Sequence, residues 1–157
     1  MVDCGFAVKE TVSRLERVGV PPAQVDAIVV THEHGDHISG VFKFSRKFGT
    51  PVYLTHGTWR AALRSKLTDD EYLHSGRVVL IDSHSPFQIK HLKLHPFPVP
   101  HDAAEPVQLL IDPAGYLLHH RMPGFGLKSN AGIPVTTMGI THPDLLPGNT
   151  DGITKQP

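Results

Sequence analysis

The chain has 157 residues, a length that fits one domain, and its 39% hydrophobic content is enough for a packed core. Lys plus Arg and Asp plus Glu balance at 15 each, which argues against a broad nucleic-acid or membrane surface driven by net charge and leaves a local basic patch open. A single cysteine, Cys4, excludes a disulfide framework and a cysteine-based zinc finger.

The N-terminus, MVDCGFAVKE, carries an acid at position 3 and no long apolar run, so no secretory signal is expected there. No stretch approaches the roughly 20 apolar residues of a membrane span. With one free thiol, a cytoplasmic location is the expectation. VKETVSRLERVGV places Val8, Val12, Leu15 and Val18 at helical spacing, and Gly19 with Pro21 and Pro22 ends that helix. DAIVVTH is a β-branched run, read as a buried strand that ends at Thr31.

SGVFKFSRKFG reads as a second helix closed by Gly49, TPVYLT as a strand, GTWRAALRSKL as a helix and GRVVLI as a strand. FQIKHLKLHPFPV alternates apolar and polar residues, which predicts one or two antiparallel strands with a slip of register near His91. EPVQLLID is a further strand, and AGYLLHH pairs with it as a hairpin across Pro113-Ala114-Gly115. After Arg121 the chain turns rich in Gly, Pro, Asn and Thr, and its last nine residues read as a loose tail. The mixed order of helices and strands is that of an α/β or α+β fold.

Twelve histidines are the unusual count, and three of them fall in VVTHEHGDHISG, directly after the first predicted strand. In open α/β arrangements the C-terminal ends of strands are where ligands bind. His32 and His34 are two apart, and on extended backbone such residues point to one side, so two imidazoles can grip one ion. Asp36 and His37 follow across Gly35, which suits a tight turn, and can face a second ion. Against this stands a solvated polar loop, which the spacing and the placement after a strand disfavour.

A third ligand for the first ion must come from elsewhere. His101 in PFPVPHDAAEP is the candidate, with a surface turn histidine before a helix-starting Asp102 as the equal alternative. Three protein ligands with an open position form the catalytic zinc pattern, and such an ion supplies hydroxide near neutral pH.

DAIVVTHEHGDHISG resembles the hallmark of the metallo-β-lactamase fold superfamily. VDCGFAVKETVSRLERVGV, THEHGDHISGV, PVYLTHGTWRA and FPVPHDAAEPV resemble its YycJ/WalJ-type branch of hydrolases, related to nucleases and ribonuclease Z, over about Val2 to Asp112. The resemblance implies an αβ/βα sandwich, incomplete here, with a core over residues 1–120 and a divergent C-terminal segment over 121–157. It implies a dinuclear site, usually zinc and sometimes manganese or iron. His32, His34 and His101 would hold one ion, and Asp36 and His37 the other. Asp36 would also be the catalytic residue, and Asp3 would orient a ligand histidine from behind it.

The implied activity is hydrolysis of a phosphodiester by metal-activated hydroxide, in nucleic acid or a small ester. Two alternatives stand beside it: hydrolysis of a lactone, thioester or β-lactam, and a degenerate remnant that binds one ion or none without catalysis.

The chain departs from the family pattern in three places. Members carry two further strands before the DCG stretch, a later TD-x-G aspartate that bridges the ions, and a final histidine. PVTTMGITHPDLL has Thr137 where that aspartate stands, and His142 falls too early. A truncated or frame-altered copy, a one-ion enzyme, or completion by Asp112, His119, His120 or His142 would each account for this. For His119 and His120 a strand-end pair is the favoured reading. Missing first strands would leave a sheet edge open, for which a homodimer or poor solubility is expected.

Other residues read as structural. His56 is expected to be solvated at a helix N-terminus, with a place near the site as the alternative. Trp59 reads as packing, Arg60 with Arg64 and Lys66 as a solvated helix face, and Cys4 as buried packing.

Overall fold

The computed structural model describes residues 1–112, 116–119 and 139–141. The chain forms two compact units, residues 1–85 with 97–107, and 86–96 with 108 onward. The metal-ligand candidates up to His101 all belong to the first unit.

In the first unit three parallel strands form a sheet of order β1-β2-β3: β1 (Ile28–Val29), β2 (Val52–Thr55) and β3 (Val78–Ile81). Val2 adds a parallel bridge to Val29 on the outer side of β1. Parallel strands require crossovers, and helices supply them. These are α1 (Val8–Arg17), α2 (Gly35–Ile38), α3 (Val41–Phe48), α4 (His56–Arg64) and α5 (Asp70–Leu73).

Ile28, Val30, Val52 and Leu54 are fully buried, as a β-branched run in a covered parallel sheet should be. They pack with Ile38, Val41, Phe42 and Phe44 from α2 and α3, and with Trp59 and Ala62 from α4. Phe42 meets Trp59 and Tyr72 edge-on, with centroids 6.1 and 5.6 Å apart, a favoured aromatic geometry. Trp59 and Cys4 are therefore core residues, as expected.

Several boundaries differ from the sequence reading, each for a local reason. The helix expected over SGVFKFSRKFG is present as α3, and the motif ahead of it makes a short α2 that was not expected. Gly49 ends α3 in the left-handed conformation, φ 74°, that only glycine adopts freely. α4 starts one residue early, at His56, because the Thr55 hydroxyl accepts the Thr58 N–H and caps it. α5 was not expected. Asp69 caps it by accepting the Tyr72 N–H at 2.8 Å. α1 seats Thr11 inward and leaves Val18, placed on its apolar face by periodicity, 71% exposed just past the last turn.

The second unit carries an antiparallel sheet of order β4-β5-β6-β7-β8: β4 (Phe87–Ile89), β5 (Leu92–Pro98), β6 (Val107–Asp112), β7 (Tyr116–His119) and β8 (Gly139–Thr141). The expected slip near His91 is a hairpin turn, with Lys90 at φ 52° and Ile89 opposite Leu92. The hairpin expected across 113–115 is present as the β6–β7 pairing. β8, which the sequence reading did not expect, pairs with β7. The 120/121 boundary, Thr137 and His142 lie outside the described residues. No helix among the described residues is long and apolar enough to cross a membrane.

Candidate metal centre

The motif begins where β1 runs out. Val30 continues the pairing by donating to the Tyr53 carbonyl at 2.8 Å, and the chain then leaves the sheet through Thr31 and His32. His34 is extended, and α2 starts at Gly35. The segment Asp3 to Gly5 lies directly under this turn. Asp3 donates its N–H to Val29, Cys4 to His37, and Gly40 donates back to Cys4. A Cβ at Gly5 would stand 1.7 Å from the Asp36 carbonyl, so the DCG glycine is required by close backbone approach.

His32, His34 and His101 come together from positions far apart in sequence. One ring nitrogen from each lies within 4.8 Å of the others. The three ring centroids form a triangle with every side 4.7 Å. His32 is 1% exposed. Burial, then the neighbouring His37, His101 and His34, push its pKa down to about 3, so it is a neutral imidazole at ordinary pH. Neutral imidazole is the form that binds metal.

The outer nitrogens of these rings are all engaged by acceptors. His34 Nε2 is 3.2 Å from the Asp102 carbonyl, and His101 Nδ1 is 2.9 Å from the Asp102 carboxylate. His32 Nδ1 is 2.9 Å from the Thr31 hydroxyl. Assigning the ring protons to those contacts leaves lone pairs on His34 Nδ1 and His101 Nε2, which face each other at 3.2 Å. Tetrahedral zinc with bonds of 2.0–2.1 Å sets its nitrogens about 3.3 Å apart. Three imidazoles with their far sides hydrogen-bonded fit such an ion, and ligand histidines are commonly held in this way.

The other half of the motif is built differently. Asp3 Oδ2 accepts from His37 Nδ1 at 2.7 Å and from the Thr31 hydroxyl at 2.9 Å, while Oδ1 accepts the Thr31 N–H at 2.8 Å. One carboxylate therefore orients His37 directly and His32 through Thr31. Asp3 adopts φ 54°, a left-handed conformation held by these three bonds. Burial alone would lower the His37 pKa, but the hydrogen bond and charge of Asp3, with the charge of Asp36, more than offset it and raise it. His37 Nε2 then faces the Asp36 carboxylate at 3.5 Å, and Asp36 is 77% exposed. Among the described residues no further histidine or acid completes a cluster around this pair.

The structure thus brings His32, His34 and His101 together, with Asp36, His37 and Asp3 beside them. His56 is exposed at the start of α4 and is not in the cluster. The side chains of Asp112, His119, His120 and His142 lie outside the described residues. Sequence reasoning missed Thr31 and Asp102 as the groups hydrogen-bonded to the rings, and considered Asp102 only as a helix start in the alternative to His101 as a ligand. Its position next to a candidate ligand was the available signal.

The family model of the metallo-beta-lactamase superfamily matches residues 1–127. The exodeoxyribonuclease WalJ of Streptococcus pneumoniae is 33% identical over 106 residues, covering 68% of this chain and 39% of that protein. The exodeoxyribonuclease YycJ of Bacillus anthracis is 33% identical over 111 residues, with the same coverages of 68% and 39%. The chain thus spans about two fifths of the length of these curated relatives, a share of 39%. A solved metallo-beta-lactamase from Cronobacter sakazakii superposes with a TM-score of 0.61 at 16% identity, covering 80% of this chain and 54% of that one.

Proposed function

The chain belongs to the metallo-beta-lactamase superfamily, close to its YycJ and WalJ members, and on that premise we propose that it is a metal-dependent hydrolase of phosphodiesters, with DNA or RNA as the substrate class. The observation that carries the reading is the convergence of His32, His34 and His101, each imidazole having its far nitrogen engaged. These three would hold one ion, and Asp36 with His37 would contribute to a second. Zinc suits the three-imidazole set, and manganese or iron suits the mixed acid and imidazole pair.

When bound, the ion would supply Lewis acidity toward a phosphoryl oxygen and a water nucleophile activated near neutral pH. The protein's own part is orientation. Thr31 and Asp102 hold the ring planes, and Asp3 holds His37 so that its Nε2 faces Asp36. The exposed Asp36 carboxylate is the group positioned to take or hold a proton at the solvent side of the site. Nuclease relatives support the substrate class, and the single free thiol supports a cytoplasmic place of action. The family core in this proposal spans residues 1–120, with 121–157 divergent.

The reading is tested with bis-p-nitrophenyl phosphate, single- and double-stranded DNA, RNA, a lactone and nitrocefin, in zinc and in manganese buffers. The parent should cleave the phosphodiester, and His34→Ala should lose at least about 100-fold, more than removal of an orienting group costs. Equal turnover by parent and His34→Ala would end the hydrolase reading. Cleavage of lactone or nitrocefin with every phosphodiester intact would end the nuclease reading alone.

A further inference from the structure

His101 sits on a segment without helix or strand between β5 and β6, closed at its base where Val99 donates to the Pro106 carbonyl at 3.3 Å. Such a loop has no ladder of its own to fix its conformation, so side-chain contacts must do it. Three of them are present. The Ala104 N–H donates to Glu33 Oε1 at 2.7 Å, and Glu33 stands between the two motif ligands. The Thr55 hydroxyl lies 2.9 Å from the Glu105 carbonyl. The Glu105 carboxylate accepts the Gly57 N–H at 2.7 Å, in the first turn of α4. A carboxylate there satisfies a backbone donor that has no partner within the helix, and it meets the positive end of the helix dipole.

The approach at Gly57 is close. A Cβ added there would stand 2.4 Å from the Glu105 Cβ and 3.1 Å from the Ala104 backbone. The absent side chain lets the loop lie directly on the start of α4. That same loop delivers His101 to His34, 67 residues away in sequence.

From this we propose that Glu105 is a positioning residue for His101, and that the Glu105–Gly57 contact sets the metal affinity of the three-histidine site. The hydrogen bonds of Glu105 go to Thr55 and Gly57, away from the three imidazoles. It acts by holding the loop in the one conformation in which the third imidazole meets the other two. The inference rests on the reading of His32, His34 and His101 as a metal site.

The test uses the whole chain and Co2+ as the probe. Affinity is read by chelator competition, and coordination by the visible absorption band. Parent, Glu105→Ala, Glu105→Gln, Gly57→Ala and His34→Ala are compared, with far-UV circular dichroism and melting of the metal-free forms. Glu105→Ala and Gly57→Ala should each weaken Co2+ binding about 10-fold or more and alter the band, within the range for groups behind metal ligands. Glu105→Gln keeps an acceptor oxygen and should recover most of the affinity.

Gly57→Ala separates positioning from simple stability. Alanine is the better helix former, so metal-free α4 should be unharmed while binding falls. Should Glu105→Ala fail to fold, Gly57→Ala decides. Parent-like affinity and band in Gly57→Ala and in folded Glu105→Ala, with the band still lost in His34→Ala, would overturn the positioning role and leave the metal reading standing. A band that survives His34→Ala would overturn the metal reading itself, and the clamp with it.

Discussion

The two halves of the THEHGDH motif are five residues apart at most, yet they are finished by different means. His32 and His34 are completed by an imidazole that arrives on a loop 67 residues further along, pinned at both carboxylates of Glu33 and Glu105. Asp36 and His37 are anchored from the other direction, by Asp3 near the start of the chain. One half ends in three converging imidazoles, of which His32 is buried, and the other in a carboxylate that is 77% exposed. A short motif can set where an ion goes. Whether the site closes depends on distant segments, and here the two halves depend on different ones.

The largest expected effect separates those halves. His32→Ala should cut affinity for the first ion by well over about 100-fold, because it removes a ligand and not merely its support. Asp36→Ala, at an exposed position with little packing to lose, should leave that affinity nearly unchanged and remove only the second ion. Metal content by mass spectrometry after dialysis checks both. If Asp36→Ala empties both positions together, the halves are one site and the division drawn between them is wrong.

Asp3 sharpens the comparison, since it reaches both halves by unequal routes. It meets His37 directly at 2.7 Å and His32 only through the Thr31 hydroxyl. Asparagine tolerates the left-handed backbone at this position, so Asp3→Asn changes the charge and spares the turn. Occupancy of the second ion should fall about 10- to 100-fold, and of the first by less. An equal loss at both would mean that Thr31 transmits orientation as well as a direct bond does.

Much of this was legible in the residues themselves. The period-two histidines after a β-branched run placed the site at a strand's end, and the strands of the first unit with α1, α3 and α4 were found in their observed order. The β4–β5 turn was visible only as a slip of register, because alternation carries no mark of where a strand reverses until a residue such as Lys90 adopts positive φ. α5 is a single capped turn, too short for periodicity to reveal. Apart from Asp3, which the family resemblance named, the supports of the site were not legible. Ala104 finds Glu33 across 71 residues and Gly57 finds Glu105 across 48, and neither pairing follows from local pattern. A carboxylate such as Glu105, in a Pro- and Ala-rich loop, shows no partner until the backbone donor it satisfies is known.

The smallest effect is one of pH, and it sets the two halves against each other. In metal-free protein, burial first and then the other three histidines hold the folded His32 pKa near 3, against 6.5 unfolded. The unfolded chain therefore binds the extra proton below 6.5, and the stability due to a neutral His32 is lost as pH falls from there, by at most about 1.4 kcal/mol per pH unit. For His37 burial works downward, but Asp3 and Asp36 outweigh it and leave its folded pKa above 6.5. Its contribution is complete below 6.5 and is lost as pH rises through that folded value. The melting temperature of chelator-treated protein should therefore peak near pH 6.5 and fall on both sides between pH 5 and 8. Asp3→Asn removes the group that raises His37, so it should flatten the alkaline limb and leave the acid limb, which burial of His32 produces. A profile that is level across this range in the parent, or one whose acid limb disappears in Asp3→Asn, would show that the two histidines do not titrate as separate halves.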